Sequence, residues 1–183
     1  MTIKPSQRLS FRLMNLNDGE LLFEVDQDAR VMKFINGGKK STMDDIQTVM
    51  LPRLQAYLNP KKGWGIWQVN VQQTQEYIGW VLVRPMDFFT DTPQFDNLEL
   101  GWRFKAHTWG NGYATEAAHH VMMALSQDNS VKAFSAIAVP DNKASIKVMQ
   151  KIGMDYIKTY THKDPLGDWY VACYGMSAKN EKT

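Results

Sequence analysis

A single cysteine, Cys173, stands in the 183 residues, so no disulfide closes within the chain and the composition suits a reducing compartment. No apolar run approaches the roughly 18 residues that a membrane-spanning helix requires, and Met1 to Arg8 hold no apolar signal core. The expectation is a cytoplasmic protein that does not enter a membrane. Charge of one sign is also scarce. The 21 Lys and Arg against 19 Asp and Glu leave a formal net charge of +2, and no dense basic cluster occurs, which argues against a nucleic-acid partner. Repeats and low-complexity segments are absent. His119 and His120 are adjacent on a helical pattern, so their side chains diverge by about 100°, and with no third ligand at suitable spacing no metal site is expected. What is present is a 44% apolar content, ample for one core at this length. A single domain over 1–183, with its core at about 8–177, is expected; nothing in the sequence decides between monomer and homodimer.

The chain is organised around Leu98 to Leu125. Leu98, Leu100, Trp102 and Phe104 alternate as a strand; a loop holds Gly110 and Gly112; Ala114, Ala117, Ala118, Val121, Met122 and Leu125 then recur at helical intervals. A strand, glycine loop and helix start together make an anion holder. The first helical N–H groups lack internal partners, the helix dipole places positive charge there, and glycine admits close approach. The spacing is not that of a P-loop, which ends in Gly-Lys-Ser/Thr. Nor is it a dinucleotide fingerprint: Thr115 stands where a third small residue is needed, and no acidic ribose ligand follows in Ser130 to Phe134.

Around this stretch, Leu9 to Met14 reads as a strand, and Leu21, Leu22, Val25, Ala29, Met32 and Ile35 as one helix ending at Asn36-Gly37-Gly38. A second helix carries Ile46, Val49, Met50, Leu54 and Leu58, with a break or kink expected at Pro52. Trp64–Val71 and Glu76–Val83 form a hairpin, and residues 85–95 an irregular loop. Val131–Val139 is a strand, Asn142 to Ile152 a helix closed by Gly153, and two strands flank the turn Asp164 to Gly167.

Two strings carry a family likeness. His107-Thr-Trp-Gly110-Asn-Gly112 resembles motif A of the GNAT N-acetyltransferases, Arg/Gln-x-x-Gly-x-Gly/Ala, with His107 at the Arg/Gln position. Trp109 to Ala117 is similar to the branch holding the RimJ and RimL ribosomal-protein N-terminal acetyltransferases. Asn142-Lys-Ala-Ser145-Ile-Lys147-Val148, followed by Gly153-Met154, resembles that family's second signature. The resemblance covers roughly Arg8 to Ser177 and implies the α/β GNAT fold: a mixed, twisted sheet flanked by helices, in the order β-α-α-β-β-β-α-β-α-β-β. It also implies acetyl-CoA as co-substrate, its pantetheine arm between two splayed parallel strands beside Leu100, Trp102, Arg103 and Phe104, and its diphosphate on His107, Thr108, Trp109, Gly110, Asn111, Gly112, Tyr113, Ala114 and Thr115. Asn142, Ser145 and Lys147 would complete the cofactor contacts.

The implied reaction is acetyl transfer to a primary amine, with a protein N-terminus (a ribosomal protein's among them) or a small-molecule amine as acceptor. It needs a base for the amine, a donor for the thioester oxygen and a proton for the departing thiolate. Glu99 is the candidate base, or else an ordinary strand carboxylate. A backbone N–H within Leu100 to Trp102 is the candidate oxygen donor. In the RimJ/RimL branch the residue matching Ser145 is proposed as the general acid; many relatives place a Tyr four residues later, where this chain has Met149. Asn142 is a second candidate near the sulfur, or simply a helix cap, and Ser145 alternatively a helix hydroxyl bonded back to a carbonyl. A CoA-binding sensor or interaction module without catalysis is the competing class.

Overall fold

The computed structural model describes residues 1–178. Seven strands, β1 (Leu9–Leu13), β2 (Gly65–Val71), β3 (Tyr77–Met86), β4 (Gln94–Phe104), β5 (Ala133–Ala138), β6 (Asp155–Asp164) and β7 (Gly167–Ser177), form one sheet in the order β1-β2-β3-β4-β5-β7-β6. Only β4 and β5 run parallel; every other neighbouring pair is antiparallel. Helices α5 (Tyr113–Leu125) and α6 (Lys143–Lys151) cover one face. Helices α1 (Gly19–Val25), α2 (Ala29–Asn36), α3 (Met43–Asp45) and α4 (Leu51–Tyr57) belong to a second cluster on the other.

Strand alternation assigns side chains to these layers. Leu98, Leu100 and Phe104 on β4 pack with Ala117, Ala118, Val121, Met122 and Leu125 of α5, all fully or almost fully buried. Each buried Leu or Val there is worth roughly 1.5–3 kcal/mol, so this face rather than helix propensity holds α5 in place. Glu99, Gly101 and Arg103, one residue out of phase, belong to the opposite face.

The α-rich N-terminal region departs from the expected layout. The single helix read from Leu21 to Ile35 is two, α1 and α2. Asp28 adopts extended backbone (φ −112°, ψ 117°) and its carboxylate accepts from the Arg30 N–H, capping a new helix start that the apolar spacing did not reveal. Pro52 falls in the first turn of α4, directly after a π-helical turn at Ile46–Met50. The widened turn accommodates the ring that would clash in a regular helix. Pro85, expected in a loop, lies within β3, where the register shifts between Pro85 and Met86; a bulge tolerates the missing N–H.

The feature that creates a site is the shortness of the parallel pairing. Strands β4 and β5 pair only where Asn97–Glu99 face Ala133–Ser135. Beyond that point β4 stays with β3 as far as Phe104, and β5 stays with β7 as far as Ala138. The sheet therefore splits along its middle.

Candidate active site

The glycine loop is built to leave amides free. Gly110 and Gly112 both take left-handed backbone, at φ 79° and 77°, and Gly112 caps α5. The Asn111 side chain closes the loop by donating to the Thr108 and Trp109 carbonyls at 3.0 and 3.2 Å. Among the described residues, no protein acceptor takes the N–H groups of residues 110 to 115, the loop and first turn of a thirteen-residue helix. The N–H groups of Thr108 and Trp109, in contrast, already bond to Lys105 and Ala106. The expected anion cradle is thus narrowed at its start: the available amides run from Gly110 to Thr115. A Cβ at Gly110 would meet nothing within 4 Å, so this backbone has room for a diphosphate.

Several residues named from the sequence are used differently. His107 lies in a 3₁₀ turn, mostly exposed, with its Nε2 2.7 Å from Glu76 Oε1 on the β2–β3 turn. Trp109 donates its indole N–H to the Phe104 carbonyl at 2.9 Å, and Phe104 is buried in the core. Lys147 is exposed on α6. Arg103 turns away from the loop to pair with Asp26.

The sequence did not single out Arg8. Its Nη1 donates to the Asn111 carbonyl at 2.9 Å, its guanidinium lies 4.6 Å over the Tyr113 ring, and its Nε is 2.6 Å from Glu116 Oε2. It is thereby a cation fixed beside the glycine loop, contributed by a segment more than a hundred residues away. Burial works to raise the Glu116 carboxyl, but hydrogen bonds from Ser6 and Arg8 outweigh it and hold the carboxyl below its ordinary 4.5. A lowered carboxyl stabilises the fold above its unfolded value and loses that contribution as pH falls. Glu116→Gln is therefore expected to lose less stability than the wild type between neutral pH and about pH 3, measured by urea midpoints; equal losses would mean the Ser6–Arg8–Glu116 cluster carries no such linkage.

The split between β4 and β5 offers backbone groups to a ligand. The Lys105 N–H bonds to Ile78 on β3, so by the two-residue alternation the amides of Leu100, Trp102 and Phe104 face the gap. The Phe104 carbonyl is occupied by Trp109, which leaves Leu100 and Trp102 as the edge available for strand-like addition. A cleft of about 260 Å³ lies here, bounded by Leu100 to Arg103, Ile137 to Val139, Asn142, Ser145 and His162. Asn142 caps α6, its side chain accepting from the Ser145 N–H at 3.2 Å. The Ser145 hydroxyl makes no hydrogen bond within the described residues, so it is not spent on a helix carbonyl.

Glu99 is held more tightly than expected. It is buried, and Arg84 grips both its oxygens, Nε at 2.8 Å and Nη2 at 3.2 Å. Burial opposes the Arg84 charge, but the Glu99 carboxylate overcomes that and holds the guanidinium above its ordinary value. The pair is a charged, bidentate unit. A second cavity, about 350 Å³, opens on the helical side and includes Arg84, Arg53, Lys39, Asp26 and Tyr57; Ile35, Trp80, Leu82 and Arg103 line both spaces. No group of three or more His, Cys, Asp or Glu suited to a metal occurs among the described residues, nor any helix long and apolar enough to cross a membrane.

Free amides at a left-handed glycine loop, a gap between two parallel strands and an unbonded hydroxyl bordering it suit a long ligand with an anionic end. Residues 8–155 match the family model described as Acetyltransferase (GNAT) domain, and the chain belongs to that family. It is 32% identical over 161 residues to YkkB of Bacillus subtilis, an uncharacterized protein, covering 84% of this chain and 86% of the relative. It is 26% identical over 170 residues to the FsC-acetyl coenzyme A-N(2)-transacetylase of Aspergillus fumigatus, covering 89% of this chain and 71% of that one. A solved GNAT-family acetyltransferase from Bacillus anthracis superposes with a TM-score of 0.74 at 25% identity, covering 97% and 99% of the two chains. The protein is an acetyl-CoA-dependent N-acetyltransferase.

Proposed function

We propose that the acceptor is a primary amine on a small or terminal group, an N-terminal residue or an amino-acid-like amine, presented through the cavity on the helical side. The observation that carries this reading is the shared wall. Ile35, Trp80, Leu82 and Arg103 border both spaces, so an amine entering from one side meets a thioester lying in the other. The acceptor space is about 350 Å³, room for a residue or a compact amine. Its lining includes Lys39, Arg53, Arg84 and Arg103 against Asp26 and Asp45, beside apolar Met32, Ile35, Val49 and Met50. With Arg53, Arg84 and Arg103 each paired to a carboxylate, that surface carries no net negative charge to draw a polycation, and it accepts an amine with an apolar or carbonyl-bearing neighbour.

Chain residues divide the work. The amides at 110 to 115, with Arg8, hold the diphosphate. The edge of β4 at Leu100 and Trp102 orients the arm and supplies an N–H to the thioester oxygen as charge develops there. Ser145 gives a proton to the departing sulfur, with Asn142 fixing the helix start that carries it. An α-amine, at about 7.7–8.0, reaches its neutral form far more readily than a lysine at about 10.4.

The test is acetyl transfer to a panel of a free-N-terminus peptide, single amino acids, spermidine and an aminoglycoside, followed as released thiol. Peptide or amino acid is expected to outrun the polycations; preference for spermidine, or no transfer to any amine, refutes the reading. Ser145→Ala on the best acceptor is expected to lower kcat by about 10²-fold with little change in coenzyme A affinity. An unchanged kcat removes Ser145 as the proton donor.

A further inference from the structure

Glu99 leaves the reaction without a free base, since both its oxygens are engaged by Arg84. The cleft holds another candidate. His162, on β6, is only 5% exposed and borders the same space as Asn142 and Ser145. Its Nδ1 lies 3.3 Å from the Tyr160 hydroxyl and 3.7 Å from Asp87 Oδ1. Neither of those residues borders the cleft, whereas His162 does.

We propose that His162 is the general base, its Nε2 accepting the amine proton while Nδ1–H is steered by Tyr160 and the charge of Asp87. The proposal rests on the amine-acceptor reading given above.

The geometry around Asp87 supports it. Asp87 follows β3 with left-handed backbone, φ 58°, a conformation that costs free energy in a non-glycine residue and is found where a side chain must be aimed. Gln94 Nε2 donates to Asp87 Oδ2 at 2.7 Å, and Thr90 donates to the Asp87 carbonyl, so the carboxylate is braced on the His162 side. The remaining charged and titratable groups about the ring come from every neighbouring strand. Glu99 is neutralised by Arg84, Cys173 lies on β7, Asp164 is paired to Arg53, and Lys158 stacks over Tyr160. Burial raises the Tyr160 phenol above its ordinary value, with Asp87, Cys173 and Glu99 adding to it, so it stays protonated and neutral beside the ring.

The step balances. His162 takes the one proton that the amine sheds as the nitrogen–carbon bond forms and the carbon–sulfur bond breaks. Ser145 gives one proton to sulfur and recovers it, through solvent, from the imidazolium. An imidazole suits the task, since one ring nitrogen can accept a proton while the other donates a hydrogen bond.

Two measurements decide the matter. In the wild-type protein, nitrogen-15 histidine spectra are expected to show the His162 proton on Nδ1, facing Tyr160 and Asp87, with Nε2 bare. A proton found on Nε2 instead overturns the proposal whichever amine is the acceptor. With an acceptor from the panel, His162→Gln is expected to lower kcat by about 10²–10³-fold and to abolish the acid limb of the kcat/KM profile. Coenzyme A affinity stays within about twofold, and added imidazole partly restores His162→Gly. Retention of the acid limb in His162→Gln, or its loss in Glu99→Gln instead, overturns the proposal. Failure of the wild-type enzyme on every amine refutes the acceptor reading, and the spectra still judge His162.

Discussion

Gly112→Val is expected to weaken coenzyme A binding by about 30–100-fold. Left-handed backbone costs a side-chain-bearing residue about 1–2 kcal/mol, and the branched Val is among the least tolerant there. Gly112 sits at φ 77° as the cap of α5, so relieving that strain re-aims the amides of the helix's first turn. Losing part of one charge-assisted hydrogen bond adds about 1 kcal/mol. The sum, about 2–3 kcal/mol, converts at 1.4 kcal/mol per tenfold to the stated loss. Crowding is not the cause, because a Cβ at Gly112 would come no nearer than 3.6 Å, to Arg8 Nη2. Titration calorimetry with coenzyme A, beside a circular-dichroism check that α5 is retained, makes the measurement; full affinity in a folded variant means the diphosphate does not rest on these amides.

Arg103→Met is expected to cost about 3–5 kcal/mol of stability, the range for stripping the partner from a buried charge. Asp26 is fully buried and depends on Arg103, with Ser41 donating to its other oxygen at 2.5 Å. Methionine keeps much of the side-chain length and leaves the carboxylate with one neutral donor. The urea midpoint reads the effect, and a loss below about 1 kcal/mol would show that Ser41 alone satisfies Asp26. Arg103 borders both cavities, and neither its Nε nor Trp80 Nε1 beside it has a partner among the described residues, so activity is expected to fall with stability. Arg103 thus ties β4 to the helical layer at the wall that the two spaces share.

The sequence was legible wherever a signal is local. The glycine pair, the α5 apolar face and the Asn142 cap are patterns within a few residues, set by backbone conformation and the helical repeat. The layout of α1 and α2 was misread because Asp28 starts a new helix without interrupting the apolar spacing. Pro85 was placed outside the strand because a bulge, unseen in composition, absorbs it. Glu99 was located on its strand, but its engagement by Arg84 depends on the β3–β4 register, which sets those two residues opposite each other.

By itself the sequence determined the glycine loop ahead of α5, the family and the strand that carries Leu100 and Trp102, since these follow from neighbours along the chain. Only the tertiary structure decided that β4 and β5 part after three paired positions, that Arg8 reaches Asn111, and that Asp87 meets His162. The physical reason is that such meetings depend on sheet order and register. Those are settled by the packing of both layers at once, which no short stretch of residues encodes.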